Sequence, residues 1–209
     1  MVQIPPVTLI EPSPATPATL ALIAFADEAM LRGAISLQHA RLADLLEEGG
    51  PLDLAHAASE RHADGAISRL GTATLPQEAL SAVIATGPLG NPGRRIDTRA
   101  HAARIRLVGY EVLGRLHVPP GLHPEEWVNG RRWIAVTDAV LRYTSRGTRR
   151  AQLHATVLVH RERITELVPV EATAYGRELD RVAGQGSGGP VVETMAPATI
   201  RRLRAIGGL

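Results

Sequence analysis

Histidine and cysteine are the usual ligands of zinc and iron, and this chain of 209 residues contains eight His and no Cys. The pairs His117 with His123 and His154 with His160 lie six residues apart. No His pair has the i,i+4 spacing with a neighbouring Glu that puts two ligands on one helix face. Six residues span about 20 Å of a strand, too far for one metal ion. We therefore predict no metal site and no cofactor.

Arginine is the other residue type that could do chemistry, since all 23 cationic side chains are Arg. They face 21 acidic side chains, so the net charge is only +2, and the pI of about 9.6 reflects the absence of Lys and Cys. Paired arginines occur at 94–95, 131–132, 149–150 and 201–202, where guanidinium forks would suit phosphates. With six aromatic residues in the chain, few side chains are left for stacking on bases. Composition alone therefore predicts neither strong nucleic-acid binding nor binding to an anionic membrane.

The segment GQGSGGPVV from Gly184 to Val192 resembles the loop GDSGGP of chymotrypsin-like proteases, which are also double barrels. The resemblance would make Ser187 the nucleophile of a serine hydrolase. However, Gly186 stands where that loop has Asp, and only 22 of the 209 residues follow Ser187. We interpret the segment as a Gly-rich linker and keep the hydrolase as a remote alternative.

The chain also contains an internal repeat. The apolar pattern around Gly33 recurs around Gly114 at an offset of 81 residues, Leu54 corresponds to Val136 at 82, and Leu75 to Val159 at 84. A slowly growing offset is what duplication followed by loop changes would leave. We predict two copies, residues 19–90 and 99–171, joined by a linker at 91–98.

Each copy is mainly β by its pattern of alternating apolar residues. In the second copy five such segments are separated by Gly, Pro or polar residues, which predicts a small barrel of five bent strands. At Gly109 the apolar residues change from odd-numbered to even-numbered positions, which predicts a bulge within one strand. In the first copy the segments HARLADLLEE and ALSAVI fit a helix by spacing alone, so their assignment as strands depends on the second copy.

The two ends of the chain differ from this body. Residues 1–18 contain five Pro and predict an extended Pro-rich arm. Residues 172–209 predict a Gly-rich linker followed by a short terminal helix. In that helix Ile200, Leu203 and Ile206 form one apolar stripe, which we predict to bind a partner.

The second copy resembles the Sm-like fold. Sm proteins have a strand with a Gly, a turn leading to an Asn, and an apolar strand ending in an acidic residue and Ala. Gly114, Asn129 and Asp138-Ala139 stand here in that order. The segment from Val157 to Ile164 is similar in shape to their second motif, an apolar strand followed by an Arg-bearing turn. The overall resemblance is to bacterial proteins of uncharacterised function with tandem Sm-like small β-barrel domains.

The resemblance implies a mainly β fold with two tandem Sm-like or SH3-like barrels, and association through open edge strands, often into rings. It also implies that the Asn and the Arg-bearing turn would contact RNA. The residues concerned would be Asn129, Arg131, Arg132, Arg161 and Arg163.

We therefore predict a non-catalytic structural or adaptor protein that assembles with itself or with partner proteins. An RNA-binding Sm-like module is the alternative. The first residues lack the cationic and apolar regions of a signal peptide, and no apolar run of membrane-spanning length follows. These features predict a cytoplasmic protein without a membrane partner.

Overall fold

A computed structural model describes residues 18–37, 41–86 and 97–185 of the chain. The first half holds β1 (Ala18–Ala26), β2 (Ala29–Leu37), α1 (Leu42–Glu48), β3 (Leu52–Arg61), β4 (Ile67–Leu75), a 3-10 helix (Gln77–Ala79) and β5 (Leu80–Thr86). The second half holds β6 (Arg99–Leu107), β7 (Tyr110–Val118), α2 (Pro124–Asn129), β8 (Trp133–Ser145), β9 (Thr148–His160), a 3-10 helix (Arg161–Arg163) and β10 (Ile164–Pro169). The helix α3 (Ala172–Gln185) follows.

The prediction of a mainly β protein is confirmed. The ten strands of the described residues form one antiparallel sheet in the order β10-β6-β7-β8-β9-β5-β1-β2-β3-β4. The first half contributes its strands in the order β5-β1-β2-β3-β4, and the second half repeats that order with β10-β6-β7-β8-β9. The pairing of β5 with β9 makes the sheet continuous from one half to the other.

A glycine lies at an equivalent irregularity in each half. Around Gly33 the register of β2 against β3 shifts, and a Cβ on Gly33 would lie 3.0 Å from the Cβ of Leu54. Around Gly114 the register of β7 against β8 shifts, and a Cβ there would lie 2.5 Å from Cγ1 of Val136. The strands therefore cross closely at both points, and at Gly114 they leave no room for a side chain without a shift of the backbone.

Two apolar cores lie under the sheet, and each takes side chains from both halves. The core of the second half, around Ile105, Val112 and Val136, includes Phe25 and Met30 of the first half. The core of the first half includes Trp133 and Leu158 of the second half. Burial of these shared side chains stabilises the two halves as one folded unit.

The helices depart from the sequence expectations. The last seven residues of the segment HARLADLLEE form α1, because Leu42 and Leu46 are buried four residues apart on one face. The segment ALSAVI lies in the strand β5 from Leu80 onwards. The polar break before Trp133 contains α2. Gly109 lies in the hairpin turn between β6 and β7 at a φ of 79°, so the predicted bulge inside a strand is wrong.

Residues 172–185, predicted as the start of a linker, form α3 instead. Tyr175, Leu179 and Val182 lie on one helix face and pack on Leu113 and Val140 of the sheet. Residues 1–17, 38–40, 87–96 and 186–209 lie outside the described residues, and they include nearly all of the Pro-rich arm and most of the predicted linker at 91–98. No helix of the described residues is both long enough and apolar enough to span a bilayer.

Candidate functional site

The contact between the two halves, here called the seam, is built on the pairing of β5 with β9. Ala82 lies opposite Val159 and Val83 opposite Leu158. All four side chains are buried. The seam therefore joins the fifth strand of the first half to the fourth strand of the second.

Polar contacts reinforce the seam on one side of the sheet. The guanidinium of Arg163 donates to the backbone carbonyl of Glu78 at 2.6 and 3.0 Å and to the Asp27 carboxylate at 3.2 Å. The carboxylate of Glu47 accepts from the backbone N–H groups of Arg132 at 3.3 Å and Trp133 at 3.0 Å. These bonds fix the relative position of the halves through directional contacts as well as apolar burial.

An aromatic cluster lies at another part of the same contact. The ring of Phe25 meets Tyr110 and Tyr143 edge to face at 5.6 Å, and His62 lies 5.7 Å from Tyr110. The Tyr110 hydroxyl also donates to the backbone carbonyl of Ala26. Burial raises the pKa of the Tyr110 hydroxyl and lowers the pKa of His62, so both groups are uncharged at neutral pH.

The structure brings two of the predicted RNA-binding residues, Arg132 and Arg161, together. The backbone N–H of Arg161 donates to the carbonyl of Arg132 at 2.9 Å, which places the two Arg-bearing turns together. Asn129 is exposed at the end of α2. Arg131 stacks over the Trp127 ring at 3.8 Å. Arg163 differs from the others, because Glu78 and Asp27 already hold its guanidinium.

A shallow cleft of about 480 Å³ crosses the seam beside these arginines. It is lined by Glu47, Glu126, Trp127 and Arg131, together with Leu122 and Gly130. Two carboxylates therefore share the surface with the guanidinium groups. This mixed charge does not favour a polyanion.

The two tryptophans have different environments. Trp133 is buried, its ring lies 4.8 Å from the ring of His160 at an angle of 45°, and its indole N–H donates to Gln77. Trp127 is half-buried at the cleft. Sequence reasoning missed Glu47 and Gln77, because their partners are 56 to 86 residues away along the chain.

Two strands of the described sheet have a neighbour on one side only, β4 and β10, and they correspond to the strands that form the seam. In β5 the side chains of Ala82, Val83 and Ile84 are buried, whereas their counterparts in β10 are more open. Val168 corresponds to Ile84 and is 37% exposed, whereas Ile84 is 4% exposed. On β4, Ile67 and Leu70 are also exposed.

The remaining predicted residues have no structural description. Ser187 and the apolar stripe of Ile200, Leu203 and Ile206 lie outside the described residues. Within the described part, no group of three His, Cys, Asp or Glu side chains is arranged to hold a metal ion.

The fold and the seam define a mainly β protein of two similarly ordered halves. Comparison with known proteins adds nothing to this description, since no family model, no curated protein and no solved structure matches the chain.

Proposed function

We propose that the chain is a non-catalytic assembly protein of the cytoplasm, built from two tandem Sm-like barrels. It associates with further copies of itself, or with partner proteins, through the outer strands β4 and β10. The observation that carries this proposal is the seam, which pairs one half's fifth strand with the other half's fourth strand. The same two strands, β10 and β4, are the ones without a second neighbour in the described sheet.

The equivalence of the two halves supports the barrel part of the proposal. Both have the same element order and the same strand order. At equivalent positions in β3 and β8, His56 and Asp138 have positive φ values of 52° and 48°. A non-glycine residue at positive φ is uncommon, so its recurrence at an offset of 82 supports a duplicated unit.

The seam also predicts the register between chains. At an offset of 84 residues, Val83 of β5 corresponds to Leu167 of β10, and Leu158 of β9 corresponds to Thr74 of β4. In the proposed contact Leu167 of one chain therefore lies opposite Thr74 of the next, and Glu166 lies opposite Leu75. Because β4 and β10 are different surfaces, the contact is head-to-tail, which forms a closed ring when the rotation between chains allows it.

The terminal extensions are the second part of the proposal. We expect the Pro-rich arm and the stripe of Ile200, Leu203 and Ile206 to dock on a neighbouring chain or on a partner. Deletion of residues 184–209 should leave the sheet folded and lower the mass in solution or the recovery of a partner. An unchanged mass and unchanged partners would contradict this part.

Light scattering coupled to size exclusion tests the use of the outer strands. The wild type should have a mass of several chains, and Val168→Glu should lower it, since the carboxylate would enter the position where Ile84 is buried in the seam. Leu153→Glu is the matched control, because Leu153 is an exposed apolar residue on β9, away from both outer strands. A wild type with the mass of one chain, or equal effects of the two variants, would contradict the proposal.

RNA binding is the second candidate, and the hydrogen bond between the backbones of Arg161 and Arg132, which brings two Arg-bearing turns together, supports it. The carboxylates of Glu47 and Glu126 in the cleft beside Arg131 lower the affinity expected for a polyanion. If it is correct, absorbance at 260 nm should co-elute with the protein and disappear after nuclease or at high salt. Protein that elutes free of nucleic acid at low salt, without nuclease, would remove this candidate.

A further inference from the structure

Four charged residues form a row across the neighbouring strands β10, β6, β7 and β8 of the second half. Glu166 lies opposite Arg106, Arg106 opposite Glu111, and Glu111 opposite Arg142. Arg106 pairs with Glu166 at 2.6 Å, and Arg142 pairs with Glu111. The corresponding positions of the first half are Ala82, Phe25, Met30 and Glu60, of which the first three are buried.

A cleft of about 460 Å³ opens beside this charged row. Three guanidinium groups line it, those of Arg106, Arg142 and Arg149, with Glu111 as the single carboxylate among its lining residues. Thr144 adds a hydroxyl and is the cross-strand neighbour of Arg149. The cleft therefore holds more positive than negative charge.

The arginines of the cleft differ in how far their charge is already compensated. Arg142 is held between Glu111 and Glu178, and its side chain is only 11% exposed. Arg106 is held by Glu166. Arg149 is exposed and has no ion pair or side-chain hydrogen bond with any residue that the structure describes. Its fork of donors is therefore available to a ligand.

The charged groups around the cleft also have a positive net charge. Arg104 lies 3.9 Å from Glu111, and Arg181 pairs with Glu178. Five guanidinium groups thus face three carboxylates, those of Glu111, Glu166 and Glu178, which leaves a local charge of +2. The network of the charged row explains how α3 is held, through Arg142 and Glu178, but it gives no role to Arg149.

We propose that this cleft binds a phosphoryl group, as free phosphate or as a phosphomonoester. Guanidinium forks bind phosphate oxygens through paired, charge-assisted hydrogen bonds. Arg142 is held in place by Glu111 and Glu178, so little of its side-chain entropy is lost on binding. Arg106 adds a more exposed guanidinium paired with Glu166, and Arg149 supplies the uncompensated charge. All the residues belong to one chain, so the site does not depend on assembly through β4 and β10.

Isothermal titration with sodium phosphate, at an ionic strength held constant with chloride, tests the proposal. The wild type should bind one phosphate per chain, and Arg149→Gln should weaken binding about tenfold, as expected for the loss of charge-assisted bonds. Arg149→Lys should bind with intermediate affinity, because it keeps the charge and loses the fork. Arg99→Gln is the control, an exposed arginine at the other end of β6.

Two further ligand comparisons identify the source of the phosphoryl group. AMP should bind and adenosine should not, while sedimentation with vesicles of phosphatidic acid against phosphatidylcholine tests a lipid headgroup. Binding in either comparison that Arg149→Gln weakens and Arg99→Gln leaves unchanged supports the site. No binding of phosphate, AMP or phosphatidic acid, or equal effects of the two variants, would overturn it.

Discussion

The indole N–H of Trp133 donates to Oε1 of Gln77 over 3.0 Å, although 56 residues separate them. Both side chains are buried. Trp133 begins β8 of the second half, and Gln77 begins the 3-10 helix before β5 of the first half. This hydrogen bond therefore crosses the seam, and each half supplies one of its two buried polar groups.

Removing this bond should destabilise the protein. Trp133→Phe keeps much of the apolar volume but leaves the buried Gln77 carbonyl without a donor, which costs about 1–3 kcal/mol. Trp127→Phe is the control, because Trp127 is half-buried and its stacking with Arg131 contributes about 1 kcal/mol or less. Urea denaturation of the two variants should show the larger loss for Trp133→Phe. Equal losses would mean that the bond across the seam adds nothing.

The close crossing of β7 and β8 at Gly114 should be intolerant of a side chain. Gly114→Ala would place a Cβ 2.5 Å from Val136 and 2.9 Å from the carbonyl of Thr137, so we expect a loss of about 1–3 kcal/mol. Gly130→Ala should stay within about 0.5 kcal/mol of wild type, because its nearest neighbour would be 3.7 Å away and its φ of −82° suits any residue. Thermal unfolding compares the two, and a Gly114→Ala protein as stable as Gly130→Ala would refute the close crossing.

Acid should destabilise the folded chain through histidines that are wholly or partly buried. Burial lowers the pKa of His154 to about 4, and it also lowers the pKa of His62 and His160. Below the ordinary pKa of 6.5 the unfolded chain therefore binds more protons than the folded chain. Stability should be full above pH 6.5 and should fall as the pH decreases towards 4.

Urea denaturation at several pH values measures this effect. His154→Leu should flatten the decrease, since Leu keeps an apolar side chain at this position and cannot take up a proton. The same free energy of unfolding at pH 5 and pH 7.5, or an unchanged slope in His154→Leu, would exclude burial of these histidines as the cause.

Local sequence pattern was sufficient to predict much of the fold. Alternation of apolar residues locates β8 and β9, and the repeat places Gly33 and Gly114 at equivalent positions, where the structure has equivalent register shifts. It was not sufficient for α1 and α2, because six or seven residues make fewer than two helical turns. A segment of that length is too short for a helical spacing of apolar residues to be distinguished from a strand or loop. It misplaced Gly109, because the alternation of apolar residues changes face at a turn as well as at a bulge within a strand.

The seam itself had no local signal. An apolar segment such as Ala82 to Ile84 shows that a strand is buried, but not which strand pairs with it. The contacts of Glu47 and Arg163 were equally hidden, because each joins residues about 85 positions apart. Sequence reasoning therefore grouped Arg163 with the candidate RNA-binding residues, whereas the structure uses it to join the halves.

The register proposed between chains is the central claim, and a disulfide tests it most directly because the chain has no Cys of its own. Directly opposed residues of an antiparallel pair are about 4.5–5.5 Å apart at Cα, a separation that a disulfide accepts. A protein with both Thr74→Cys and Leu167→Cys should oxidise to dimers and larger species on a non-reducing gel. Pairing Leu167→Cys with Ser68→Cys, at the far end of β4, should leave single chains. Single chains from the Thr74 and Leu167 pair under oxidising conditions would contradict assembly through β4 and β10.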